Sequence, residues 1–227
     1  MSNIVYRMYS KMYIRLNTYD DFILDEREEY RPLFGSNESG LLMDIGGNIG
    51  STARLANDEY SLEVITYEPE KDNFEILSMN TKNSNSIMAI NSAIGTGNKK
   101  VKLFIDNGTF KAKHSICKRN FKDGFNSIEV NQLDFKEQLE KFKPLYLKID
   151  IEGGEFDLDL KDIPINIKYF ALEIHLIEND FNKFLKLFND VKKQFDFYFG
   201  EDINELNIKE KLKKDSDSAK MFIFYRR

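Results

Sequence analysis

From Leu41 onward, short apolar runs alternate with amphipathic stretches, and polar turns separate them. Leu41 to Ile45, Val64 to Tyr67 and Ile87 to Ile90 are compact apolar runs, the pattern of strands buried on both faces of a parallel sheet. Ser51 to Asn57 and Glu70 to Asn80 lie between them with helical spacing. The order strand, helix, strand, helix, strand predicts a doubly wound α/β domain. The rhythm breaks from Lys100 to Leu133. There Val101 to Ile105 and Ser127 to Leu133 read as strands joined by a polar, basic loop, an antiparallel excursion. Alternation then resumes. A helix is predicted over Phe135 to Phe142, a strand over Leu145 to Ile151, and another within Ile167 to Leu176. Phe181, Phe184, Leu185, Phe188, Val191 and Phe195 mark a long amphipathic helix. Phe195 to Phe199 and Met221 to Tyr225 read as two last strands. The sheet expected is about seven-stranded, mostly parallel, with an antiparallel last strand.

Upstream, Val5, Met8, Tyr9, Met12, Tyr13 and Leu16 fall on one helical stripe, with Arg7, Ser10, Lys11 and Arg15 opposite. This predicts a helix packed on the domain, with a substrate lid or membrane-surface helix as alternatives. Asp20 to Pro32 is acidic and reads as a solvated connection. Residues 1–40 are therefore an N-terminal extension, and 41–227 one α/β domain. No repeat or low-complexity linker divides it.

Composition narrows the classes. The 227 residues are 41% hydrophobic and 31% charged, a globular rather than a disordered profile. The net charge of −5 weighs against a duplex nucleic-acid binder. A single cysteine, Cys117, leaves no intramolecular disulfide and no cysteine-based zinc site, which suits a reducing, cytoplasmic setting. No apolar run approaches 18 residues, so no transmembrane segment is expected. A homo-oligomer stays open.

The candidate chemistry begins at Asp44-Ile45-Gly46-Gly47-Asn48-Ile49-Gly50, a glycine-rich turn between the first core strand and its helix. Such a turn lets a nucleotide-like ligand approach the backbone and the free N–H groups of the helix start. The dehydrogenase spacing G-x-G-x-x-G fails here, because Asn48 and Ser51 stand where its second and third glycines belong. What fits is D-x-G-x-N-x-G, with Asp44 placed to accept from an ammonium group. Glu68 ends the second strand, where a carboxylate can accept both hydroxyls of a ribose. Asn91 and Ser92 follow the third strand, at the edge that would face an adenine; a simple turn is the competing reading.

The next two core strands carry paired charges. Lys148 and Asp150 share one face of their strand, and Glu173 and His175 share one face of theirs. Parallel pairing would set Lys148 opposite Glu173 as a buried supporting pair and Asp150 opposite His175 at the carboxyl end. His175 would then be a general base on an acceptor hydroxyl, with Asp150 orienting it or holding the substrate; a satisfied histidine under the helix is the competing reading. Asp150, Glu152 and His175 could hold a divalent cation, but the reading taken is metal-free. His114 lies in the basic loop among Lys111, Lys113, Lys118 and Arg119, either a solvated loop or a substrate-contacting flap.

Taken together the motifs resemble the FkbM-type S-adenosylmethionine-dependent methyltransferases. The resemblance rests on Asp44 to Gly50, on Tyr67-Glu68-Pro69-Glu70 with Phe74 and Asn80, and on Asn91-Ser92-Ala93-Ile94-Gly95. It continues through Leu133-Asp134, Leu147-Lys148-Ile149-Asp150-Ile151-Glu152-Gly153-Gly154-Glu155 and Leu172-Glu173-Ile174-His175. Gly47 and Gly154 stand where that family more often has alanine. The resemblance implies a class I, Rossmann-like methyltransferase with S-adenosyl-L-methionine as cofactor, held by Asp44, Gly46, Asn48, Gly50 and Glu68; Gly47 of the turn and Asn91 and Ser92 after the third strand complete the expected set. Lys148, Asp150, Glu152 and His175 form the expected catalytic group. The expected reaction is O-methylation of a small-molecule, sugar or glycan acceptor. The alternatives are an RNA ribose 2′-O-methyltransferase, using the Lys111 to Lys122 loop as its channel, and a non-catalytic cofactor-binding subunit.

Overall fold

The computed structural model describes residues 3–106, 114–116, 125–212 and 218–227. Cys117 and most of the Lys111 to Lys122 loop lie outside the described residues. The first element departs from the sequence-based expectation. In place of a helix, β1 (Ile4–Arg7) pairs antiparallel with β2 (Met12–Arg15). The apolar spacing permits both forms. Met12 and Ile14 alternate as on a strand and are fully buried, whereas Met8 and Tyr9 stand exposed in the turn. Lys11 takes a positive φ of 54° in that turn, where no glycine or Asn-Gly pair announces a hairpin.

The acidic connection is folded too. α1 (Asp20–Glu26) runs into a 3-10 helix over Arg27–Phe34. Its acidic side chains mostly face solvent, while Tyr30, Leu33 and Phe34 are buried. Burying side chains of this size contributes about 1.5–3 kcal/mol each, enough to dock the segment. Asp20 is the exception on the acidic side: it is buried and paired with buried Arg15 at 2.8 Å.

The core follows the predicted alternation: β3 (Leu41–Ile45), α2 (Ser51–Tyr60), β4 (Glu63–Tyr67), α3 (Lys71–Thr81) and β5 (Ile87–Ile90). A separate three-stranded sheet comes next, made of β6 (Ala93–Gly95), β7 (Lys99–Asp106) and β8 (Phe125–Asp134), with β7 antiparallel to β8. Then come α4 (Phe135–Phe142), β9 (Tyr146–Ile149), a 3-10 turn over Gly154–Asp157, β10 (Tyr169–His175), α5 (Phe181–Lys192), β11 (Phe197–Phe199), α6 (Ile208–Lys211) and β12 (Ala219–Tyr225). Side chains of Glu70, Asp134 and Asp180 cap α3, α4 and α5, each accepting a backbone N–H three residues on.

The main sheet runs β11-β12-β10-β9-β3-β4-β5. β12 is antiparallel to both neighbours, and the β10-β9-β3-β4-β5 pairings are parallel. The chain fills one side of β3 and then crosses back to start β9 on the other. Strand order therefore reverses at β3, and the crevice outside the carboxyl ends of β3 and β9 is where open α/β sheets bind ligands. The two sheet faces are covered differently. Met43, Leu147 and Phe170 pack under α4 and α5, while Leu42, Tyr146 and Ala171 pack under α2 and the segment carrying Tyr30 and Phe34. Among the described residues no helix is long and apolar enough to cross a membrane.

Candidate active site

The turn after β3 is shaped by close approaches. Gly46 has φ +88°, and a Cβ there would fall 1.8 Å from the Asp150 carbonyl oxygen. A Cβ on Gly47 would fall 2.1 Å from Thr66 Oγ1. Only glycine leaves room at either position. The Gly46 and Gly47 N–H groups both donate to the Tyr67 carbonyl, at 3.1 and 2.9 Å, which ties the turn to the end of β4. Gly50 caps α2 in the left-handed region.

Glu68 follows β4 and is buried. Its Oε2 accepts the Asn48 N–H at 2.9 Å, and its Oε1 accepts the Glu70 N–H at 2.8 Å. Burial pushes its carboxyl up to about 7, against the pull of those two donors. It lines a cleft with Gly46, Asn48, Tyr67, Ser92 and Ile94. His114 and Ile116 close the far side, and Ser115 is pinned there by its hydroxyl donating to the Glu152 carbonyl at 2.7 Å.

A second cavity of about 340 Å³ shares Gly46, Asn48, Asp150 and Glu152 with that cleft. Its other walls include Lys148, Glu173 and His175 from the sheet, and Glu26, Arg27 and Tyr30 from the N-terminal segment. The four shared residues are the junction of a two-lobed site.

The charges at the junction pair differently from the sequence-based expectation. Lys148 aligns with Ala171, not Glu173, so the register is displaced by two residues. Lys148 Nζ donates to the Gly46 carbonyl at 2.7 Å and lies 3.3 Å from Asp44 Oδ1 and 3.7 Å from Asp150 Oδ2. Burial pulls its pKa down, but Asp44 and Asp150 outweigh that, and it stays charged. The buried partner expected at Glu173 is thus Asp44, whose other oxygen accepts the Thr66 hydroxyl at 2.8 Å.

His175 is buried between two carboxylates. Nε2 is 3.2 Å from Glu152 Oε2, and Nδ1 is 3.2 Å from Glu155 Oε1. Burial alone would strip the ring of its proton, yet the two carboxylates raise its pKa well above the usual value. Glu155 is fully buried, and it also accepts the backbone N–H groups of His175 and Gly153, both at 2.8 Å. Nothing in its sequence position distinguished it from a helix-start glutamate. Glu173 sits beside Asp150, and burial first, then that neighbour, pushes its carboxyl well above the carboxylate range. Among the described residues Asp150, Glu173 and His175 each bring one ligand atom within 4.8 Å of the others. Of these three, Asp150 and Glu173 pair with each other, and both His175 ring nitrogens are taken by Glu152 and Glu155.

The sequence profile of the Methyltransferase FkbM domain matches residues 44–201, well over half of the chain. The chain belongs to the FkbM methyltransferase family. The solved SAM-dependent methyltransferase from Agrobacterium tumefaciens has a TM-score of 0.56 at 10% identity, over 100% of this chain and 70% of that one. Precorrin-6y C5,15-methyltransferase from Geobacter metallireducens GS-15 gives 0.49 at 10% identity, over 89% and 88%. The N-terminal domain of human METTL16 in complex with SAH gives 0.47 at 9%, over 88% and 70%. At these identities the Agrobacterium structure shows a shared fold. No curated protein shows significant sequence similarity to the chain.

S-adenosylmethionine is the cofactor of this FkbM chain. The residues present fit it. The turn leaves no space for side chains at Gly46 and Gly47, the buried Glu68 carboxyl lines the cleft, and Asn48 Oδ1 is buried without a hydrogen-bond partner. Of the residues expected to hold it, Gly46, Asn48, Glu68 and Ser92 line the cleft, and Gly47 lines the second cavity. Asn91 lies outside the lining; its side-chain amide donates to the Glu68 and Pro69 carbonyls and braces the loop from behind. Asp44 is fully buried, and neither it nor Gly50 lines either lobe.

Proposed function

We propose that this methyltransferase acts on a hydroxyl of a polar, sugar-like acceptor, and that Asp150 receives the hydroxyl proton. The Glu68 side of the site would take the adenosine, with the carboxyl accepting the ribose hydroxyls and Ser92 near the base. Gly46, Gly47, Asn48 and Gly50 would pass the backbone around the rest of the donor, and Asn91 would hold the Glu68 loop in place. The acceptor would enter the second lobe, whose lining is rich in hydrogen-bonding groups.

The observation that carries the reading is the place of Asp150 in the wall common to both lobes. About a quarter of its side chain (26%) is accessible. The donor supplies an electrophilic methyl on a sulfonium. Asp150 would take the proton of the acceptor hydroxyl as its oxygen took that methyl in place of the sulfur, which would leave a methyl ether and S-adenosylhomocysteine. Asp150 suits that role better than His175, because an imidazolium held by Glu152 and Glu155 has no lone pair for a proton. Lys148 stands beside Asp150 as a fixed positive charge, and burial, then Asp150, pushes the neighbouring Glu173 carboxyl up. Alignment of acceptor and donor can lower the barrier by up to about 7–11 kcal/mol, and proton removal adds roughly 10²–10⁴-fold.

The test is methyl transfer from S-adenosylmethionine to a panel of methyl glycosides, a nucleotide sugar, a short RNA, a simple amine and a thiol, read by mass spectrometry. Methyl gain on a glycoside or nucleotide-sugar hydroxyl supports the reading. Gain on the RNA alone replaces it with ribose methylation, and gain on the amine or thiol alone overturns it.

A further inference from the structure

The N-terminal segment lies outside the family-matched residues 44–201, yet it supplies a side chain at the junction of the two lobes. The Tyr30 hydroxyl donates to Asp150 Oδ2 at 3.3 Å. Tyr30 is 5% exposed, so its hydroxyl has little water to fall back on. Its ring lies under Lys148, with Nζ 5.3 Å from the ring centre, and the same Nζ approaches Asp150 Oδ2.

The hydroxyl is held in place from several directions. Leu33 and Phe34 pack with α2 in the same apolar cluster as Tyr30. The Tyr225 hydroxyl donates to the Pro32 carbonyl at 3.0 Å, and Arg31 pairs with Glu59 at 2.6 Å. This anchoring makes the Tyr30 contact a property of the folded segment.

We infer that Tyr30 is a positioning residue for Asp150: its hydroxyl fixes the carboxylate's orientation and favours its ionised form. This rests on Asp150 being the proton acceptor, as proposed above. Two carboxyl groups meet here, Asp150 and Glu173, and the Tyr30 hydroxyl bonds the first of them. Around Asp150 stand Lys148 and Glu152 from its own strand run, Glu173 and His175 from β10, Asp44 behind Lys148, and Tyr30, Glu26 and Arg27 from the N-terminal segment. Lys148 favours ionisation but offers one poorly placed contact at 3.7 Å. Tyr30 adds a hydrogen bond that only the ionised form receives in full.

The test is carboxyl-detected carbon NMR titration of the full chain saturated with S-adenosylhomocysteine, comparing wild type with Tyr30→Phe. The expected result is that the Asp150 midpoint rises by about one pH unit, a tenfold gain in proton affinity. Tyr198→Phe removes a phenol hydroxyl on β11 that bonds Asp202, away from the segment, and should leave that midpoint in place. In wild type, the Tyr30 ring carbon bearing the hydroxyl should titrate with the Asp150 midpoint. This measurement needs no variant. An unmoved Asp150 midpoint in a folded Tyr30→Phe protein, or a flat Tyr30 signal in wild type, overturns the inference. Methyl transfer by Asp150→Asn is measured separately. Retained transfer there ends the base assignment and leaves the positioning result standing.

Discussion

The Thr66 hydroxyl occupies the space that a Cβ on Gly47 would need, 2.1 Å from its position. That hydroxyl is not free to move aside, because it donates to the buried Asp44 carboxylate. Asp44 in turn faces Lys148. Gly47 is therefore tied through two side chains to the charge at the junction of the site. Gly47→Ala, although alanine is the residue the family more often has there, should destabilise the fold by about 1–3 kcal/mol, the usual range for overpacking. Denaturant unfolding checks it. Thr66→Ala in the same background should recover part of the loss, and a Gly47→Ala protein as stable as wild type would remove the close approach from the account.

Glu68 links cofactor binding to pH. Its carboxyl is held up to about 7 from an ordinary 4.5 by burial. Between those values the folded chain keeps a proton that the unfolded chain has lost, so stability falls as pH rises through that window. Ribose hydroxyls donating to the carboxylate favour the ionised form. Binding of S-adenosylhomocysteine should therefore release a proton, and affinity should weaken below about pH 7, approaching tenfold per pH unit. Calorimetry in buffers of different ionisation heat reads the proton directly. Equal heats in every buffer would contradict the linkage, and Glu68→Gln should abolish it.

The strand pattern of the sheet was legible because each core strand is a short apolar run, and capping side chains such as Glu70 and Asp134 mark helix starts. The N-terminal hairpin was not. Met12 and Ile14 satisfy both a helical stripe and a strand alternation, and the turn relies on a lysine with positive φ. The Gly46 to Gly50 turn and Glu68 were legible because tight turns and ribose carboxylates constrain residue type at fixed places. The pairing of Lys148 was not, since parallel register depends on where each strand starts, and a two-residue displacement keeps every side chain on its face. Glu155 and Tyr30 escaped notice for another reason. Their roles come from contacts 20 and 120 residues away, which no local pattern encodes.

His175 holds a charge cluster together. Its raised pKa means the ion pairs with Glu152 and Glu155 stabilise the fold fully below the ordinary imidazole value of 6.5 and weaken as pH rises through the raised one. His175→Gln leaves buried Glu155 without its counter-charge and should cost about 3–5 kcal/mol at neutral pH. Unfolding curves should show that gap narrowing in alkali. A gap that stays constant with pH would place the loss in packing.

The central claim is that Asp150 serves the chemistry while the Glu68 lobe serves the cofactor. Asp150→Asn separates the two most directly, with S-adenosylhomocysteine affinity measured by calorimetry and methyl transfer measured to whichever hydroxyl acceptor wild type uses. The account predicts retained affinity and transfer reduced by roughly 10²–10⁴-fold. Transfer at the wild-type rate by a variant that still binds S-adenosylhomocysteine would contradict it.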